Sequence, residues 1–133
     1  MLWRNNALVD MLMHFHIAME QLDIPIFRKT YDLYKTFYGL RSIVPKADRY
    51  ILWQRSENLI IDILEGILLA SQLPKSGKLK PLEEVSAKLN LLRVFLRLAK
   101  DVKVLDIKKM AVLQEMVDEI GRMLGGWIKS TKE

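Results

Sequence analysis

The sequence predicts an all-α protein, an antiparallel up-down-up-down four-helix bundle, and three observations carry that expectation. Long stretches repeat apolar residues at three-four spacing, none alternates with a period of two over strand length, and the breaks fall at Pro, Gly or a capping Asp. Half of the 133 residues are apolar, so one domain can bury a core without a metal or a crosslink. There is no cysteine, which excludes disulfides, thiolate metal sites and a cysteine nucleophile and suits a reducing, cytoplasmic setting.

Residues 1–18 lack the clean periodicity of the later residues and are expected to form an extension; Met19 opens MEQLDIPIF, a natural start for a domain over 19–133. The opening apolar run has one arginine, Arg4, and is broken by Asp10, His14 and His16, which makes a poor signal peptide. The first helix begins at Asp23 or Ile24, with Pro25 tolerated in its opening turn. It ends before Pro45, which disfavours helical geometry at Val44. Phe27, Tyr31, Tyr34, Phe37 and Tyr38 give it a broad aromatic face.

The second helix runs from about Lys46 to about Leu73. Leu59, Ile60, Ile61, Ile63, Leu64, Ile67, Leu68 and Leu69 cover more than half its circumference, so a neighbouring subunit is expected to cover part of it, and the protein to be a homo-oligomer. Asp62 and Glu65 make the same stretch too charged, and its length too short, to span a bilayer. LPKSGKLKP, residues 73–81, is the longest loop. The third helix comes next, Pro81 in its first turn, with Leu82, Val85, Leu89, Leu92, Leu96 and Ala99 as its seam to about Lys100. Asp106 caps the fourth, whose seam is Met110, Leu113, Val117, Ile120, Leu124 and Trp127.

Within that last helix lies EIGRMLGGWIKS, residues 119–130, where each glycine costs a helix about 1 kcal/mol against alanine. Gly121 and Gly125 are four apart and share a face. Bare of side chains, that face would let a neighbouring helix approach closely, and Trp127 would anchor the contact. Gly125 and Gly126 could instead end the helix; the apolar seam continuing through Trp127 and Ile128 favours a helix that carries on.

Positive charge is blocked. Residues 26–55 carry seven Lys/Arg against two acids, residues 73–100 again seven against two, and residues 56–72 three acids and no base. Such blocks suit a polyanion or an acidic partner, or a merely solvated face. The polar stripe of the third helix, Ser86, Asn90, Arg93, Arg97 and Lys100, is basic throughout its second half. Arg93 and Arg97 could grip phosphates or carboxylates bidentately, or pair with Asp101, Glu57 or Glu65. No catalytic residues emerge: there is no phosphate-binding glycine loop, nucleophile elbow or zinc-protease motif. His14 and His16 face different sides of any helix and neither follows a glutamate by three, so neither a metal nor a cofactor is expected, and Glu115, Asp118 and Glu119 read as a solvated acidic face.

LNLLRVFLRLAK (89–100), EIGRMLGGWIKS (119–130) and PIFRKTYDLYK (25–35) together resemble the accessory variability determinant (Avd) proteins of diversity-generating retroelements, within the wider four-helix group related to proteins of 23S rRNA intervening sequences. The likeness covers about residues 19–132. The resemblance implies a noncatalytic basic bundle assembled as a pentameric ring, which associates with a reverse transcriptase and binds RNA or DNA, with no membrane and no small-molecule substrate. It places Arg93 and Arg97 on the family's paired arginines and Gly121, Gly125 and Trp127 on a terminal packing motif. Lys100, Arg28, Lys29, Lys35, Arg41, Lys46 and Arg49 join the positive face by charge and position. Two other readings remain open: an rRNA-intervening-sequence type protein binding structured RNA, and an oligomeric scaffold whose charge serves solubility.

Overall fold

The computed structural model describes residues 6–13 and 24–133. Trp3, Arg4, His14, His16 and Met19 lie outside the described residues. Residues 6–13 are helical and exposed. Ile24, in extended conformation, precedes the first bundle helix α1 (Pro25–Leu40), and proline at the first position costs nothing because its missing N–H would have had no helical partner. A 3₁₀ turn at Arg41–Ile43 leads to Val44, whose ψ of 133° is the extended geometry that Pro45 imposes.

The second helix, α2, spans residues 46–72 in three consecutive parts: Lys46–Asp48, a π-helical turn at Arg49–Trp53, and the regular helix Gln54–Gln72. The π turn inserts a residue and rotates the helix face. Tyr50 and Ile51 consequently point to solvent while Trp53 is buried, stacked on Phe37 of α1 with ring centroids 3.8 Å apart and planes at 17°. Arg49 closes the corner by donating from Nη2 to the carbonyls of Val44 (3.1 Å) and Ser42 (3.3 Å).

After Leu73, a 3₁₀ turn at Lys75–Gly77 leads into α3 (Leu79–Asp101), so the helix starts earlier and the loop is shorter than the prolines suggest. Lys78 ties three elements together. Its ammonium donates to the carbonyl of Ala70 at 2.6 Å and lies 5.8 Å from the centre of the Trp127 ring. The end of α3 is a Schellman turn: Val104 N–H donates to Ala99 O and Lys103 N–H to Lys100 O, with Val104 and Ala99 both buried. Asp106 caps α4 (Ile107–Thr131) by accepting from the Lys109 N–H at 2.9 Å. The helix runs through Gly121, Gly125 and Gly126 without a break, as the seam through Trp127 implied.

Each helix packs on its neighbours in sequence and α4 returns to α1. With α3 opposing α2 (Arg55 by Phe95, Gly66 by Val85) and α4 opposing α3 (Arg93 by Asp118, Leu89 by Gly121), consecutive helices run antiparallel. There is no strand among the described residues. The seam read for the third helix is its buried set, and the fourth matches through Leu124, with Trp127 half-buried.

The first two helices differ from expectation. Tyr31 and Tyr38 are exposed; the buried face of α1 is Ile26, Phe27, Thr30, Leu33 and Phe37, because the three-four row through Leu33 buries more evenly than the aromatic row. Thr30 belongs there because its hydroxyl donates to Ile26 O at 2.9 Å. On α2, the cover expected from another subunit is supplied largely by α1 and α3, which flank it on two sides. Ile60, Ile63 and Ile67 are buried, Leu59, Leu64 and Leu68 half-buried, and Ile61 and Leu69 left exposed. The more continuous exposed apolar stripe lies on α3: Leu91, Val94 and Leu98.

The cap on α4 has a pH signature. Hydrogen bonds from the Lys109 side chain and then from its backbone N–H hold the Asp106 carboxyl below its ordinary 3.8. A carboxyl lowered on folding contributes stability in full above its unfolded value and loses it as pH falls through the folded one. Asp106→Ala should therefore lower Tm near pH 7, by an amount that shrinks as pH falls below 3.8 and the parent's carboxyl takes up its proton. Equal melting temperatures at neutral pH would show that the cap contributes nothing to stability.

Candidate nucleic-acid interface

The basic stripe of α3 stands opposite its leucine seam, so burial of the seam turns the cations outward. Arg93, Arg97, Lys100 and Arg122 line a groove of about 750 Å³ between α3 and α4, together with Asp101, Glu115 and Asp118. The cations are not equivalent. Arg93 is half-buried and spoken for: Nη1 donates to Asn90 Oδ1 at 2.9 Å, and Nε lies 3.5 Å from Asp118 Oδ1. Arg97 and Lys100 are exposed and have no hydrogen-bond or ion-pair partner among the described residues. Neither arginine pairs with Asp101, Glu57 or Glu65. Asp118 and Glu119 are more than a solvated face, since Glu119 also bridges to Lys29 of α1 at 3.4 Å.

One glycine of the last helix, Gly121, is explained by this site. A Cβ at Gly121 would collide with Nη2 of Arg93 and lie 3.6 Å from Leu89 Cδ2. The bare position thus seats a guanidinium from the neighbouring helix rather than that helix's backbone. Gly125 has nothing within 4 Å of where its Cβ would be, so the close approach expected there is not made among the described residues. The close helix contact sits at Gly66 instead, where a Cβ would collide with Cγ2 of the buried Val85. Gly66→Ala should lose about 1–3 kcal/mol to overpacking against roughly 1 kcal/mol regained in helix propensity, whereas Gly125→Ala should gain up to about 1 kcal/mol. Chemical denaturation of the two variants checks the contrast; a destabilising Gly125→Ala would place a second copy on that face.

The remaining candidates fall into three groups. Arg41 lies 3.9 Å from the buried Glu57, Lys29 pairs with Glu119, and Arg49 is spent on the α1–α2 corner. Lys35 stacks its ammonium 5.7 Å from the Tyr31 ring centre, and Arg28 is exposed near the start of α1. Lys46 is exposed and without a partner among the described residues.

The structure sets Lys100 beside two cations that the sequence blocks did not include, Lys103 and Lys108. These last line a second groove, of about 890 Å³, at the α3–α4 corner beside Ile43. Reading the blocks only to residue 100 missed them because Asp101 and Asp106 interrupt the run, although Asp106 is neutralised locally by Lys109 at 2.6 Å. Arg28 and Lys29 lie at the opposite end of α1. Among the described residues no three His, Asp or Glu side chains converge as metal ligands, and no helix is long and apolar enough to cross a membrane.

The fold and its surface thus define a basic α-helical bundle protein with partnerless cations at one end of a helix pair. The chain belongs to the bAvd-like family, whose sequence model matches residues 25–131. No curated protein matches it.

Proposed function

We propose that this protein is a noncatalytic accessory factor of a diversity-generating retroelement, working in the cytoplasm, whose cationic end holds template RNA or its cDNA and presents it to a reverse transcriptase. Family membership supports the accessory role. The single observation that carries the nucleic-acid reading is that Arg97 and Lys100 face solvent with no carboxylate partner among the described residues, since a cation already saturated inside the protein has nothing left to release counterions from a phosphodiester. Lysines supply point charges and arginine a planar fork, which together suit a phosphate track without base readout.

The same reading includes assembly into a ring of identical copies, five by the family resemblance. Leu91, Val94 and Leu98, at helical spacing on α3 and exposed, form the apolar stripe that an identical subunit would cover. Ring closure would also multiply the cationic ends and so the affinity for one strand.

Filter binding of RNA and single-stranded DNA across a salt series, with co-elution of the reverse transcriptase encoded beside the gene, tests the proposal. Log-linear weakening with salt and a stable complex with the polymerase are expected. An affinity indifferent to salt, with intact oligomers, would leave a scaffold protein.

A further inference from the structure

We propose that the groove at the α3–α4 corner receives residues 6–13 of a second copy of this chain. Two anomalies point there, one on each side of the contact.

The first is the groove itself. Its floor is Ile43, Val104, Leu105 and Ile107, the last 74% exposed, and its rim is Lys100, Lys103, Lys108 and Lys109 with two acids, Asp101 and Asp106. Two of those lysines break local rules. Lys103 has a φ of 60° two residues after α3, just past the capping Val102, a position that favours glycine because any Cβ is crowded there. Lys108, with Lys109, occupies the first turn of α4, where the helix dipole favours acids and none is present. Lys109 recovers through Asp106, but Lys103 and Lys108 have no partner among the described residues. Both departures leave the rim net positive, four lysines against two aspartates, around one apolar floor. Among the described residues no aromatic ring lines it for a base to stack on, which favours a peptide over a single strand.

The second anomaly is the segment 6–13, NALVDMLM. Leu8, Val9, Met11, Leu12 and Met13 are all more than half exposed, and the only charge is acidic, Asp10. A helix this short draws its stability from packing, not from its own hydrogen bonds, yet nothing among the described residues covers it. It also lies outside the stretch that the family model matches. Apolar side chains with one carboxylate are what the groove's floor and rim complement. In chain order the segment precedes α1, and the groove lies beyond the far end of that helix, about 24 Å along its 16 residues. Head-to-tail copies bring the segment of one to the groove of the next, and such a contact repeats from subunit to subunit.

The absence of cysteine makes the test clean. Full-length chains carrying Leu12→Cys or Ile107→Cys, differently tagged, are mixed and oxidised, with Lys132→Cys replacing Ile107→Cys as control. Docking should make the Leu12–Ile107 pairing on the order of a hundredfold faster than the control. Lys103→Glu with Lys108→Glu should slow it by on the order of fivefold, and Asp10→Lys in the other chain should restore it. Equal rates for target and control would overturn the proposal; so would indifference to the charge swap. Nucleic-acid binding through Arg97 and Lys100 is scored separately, so either reading can fail without the other.

Discussion

Changing Arg97 and Lys100 together to glutamate should flatten the salt dependence of single-strand binding by about 1.4 in the log–log slope, the value for two phosphates no longer neutralised. Extrapolated from 1 M salt, where the electrostatic part vanishes, that slope difference amounts to on the order of 25-fold in affinity at about 0.1 M, before the added repulsion is counted. Neither side chain has a partner in the fold among the described residues, so the doubly substituted protein should keep its stability to within about 0.5 kcal/mol. Reversing Arg93 as well should behave differently, because that guanidinium is already engaged by Asp118 and Asn90 and part of its charge is answered internally. Lys132→Glu, at the far end of α4, serves as the control for net charge. An unchanged slope in the Arg97/Lys100 variant, with the control also unchanged, would remove the α3 cations from the nucleic-acid contact.

Trp53→Ala should be the most damaging single substitution in the bundle. The indole is 1% exposed and stacked on Phe37, joining the end of α1 to the start of α2. Truncating a buried aromatic of this size costs about 3–5 kcal/mol, against a total stability on the order of 5–15 kcal/mol for a domain of this kind. The melting temperature should fall by roughly 10–20 °C, and the broken corner should loosen the Arg49 clamp on Ser42 and Val44. Trp53→Phe should cost far less, since it keeps a ring for Phe37 and discards an indole N–H that finds no acceptor among the described residues. Equal losses for the two variants, measured by denaturation, would show that a ring retained over Phe37 contributes nothing and that the stacking is incidental.

That corner also marks where reading along the chain ran short. The third and fourth helices could be read almost residue by residue, because a single regular helix repeats its apolar row at 3.6 and the row can face only inward. Trp53 gave no such signal: the π turn at Arg49–Trp53 shifts the phase, and a local insertion of one residue leaves no mark in spacing counts. The aromatic row of α1 misled for a related reason. Tyr31 and Tyr38 look apolar in a pattern but carry hydroxyls that solvent satisfies, and the neighbouring row through Leu33 took the core.

At the candidate interface the division is similar. Which side chains are cationic, and that Arg93, Arg97 and Lys100 share a helical face, follows from order along one helix. Which of them keeps its charge for a ligand does not, because that depends on what the next helix sets opposite. Asp118 and Gly121 lie on α4, and only their placement against α3 ties up Arg93 and leaves Arg97 without a carboxylate. The sequence alone determined the class, the helix limits set by Pro25, Pro45 and Asp106, and two of the four buried seams, since each depends on residues within a few positions of one another. Tertiary structure decided the pairings, the glycine that matters for packing and the grooves, since these depend on distances between residues far apart in the chain.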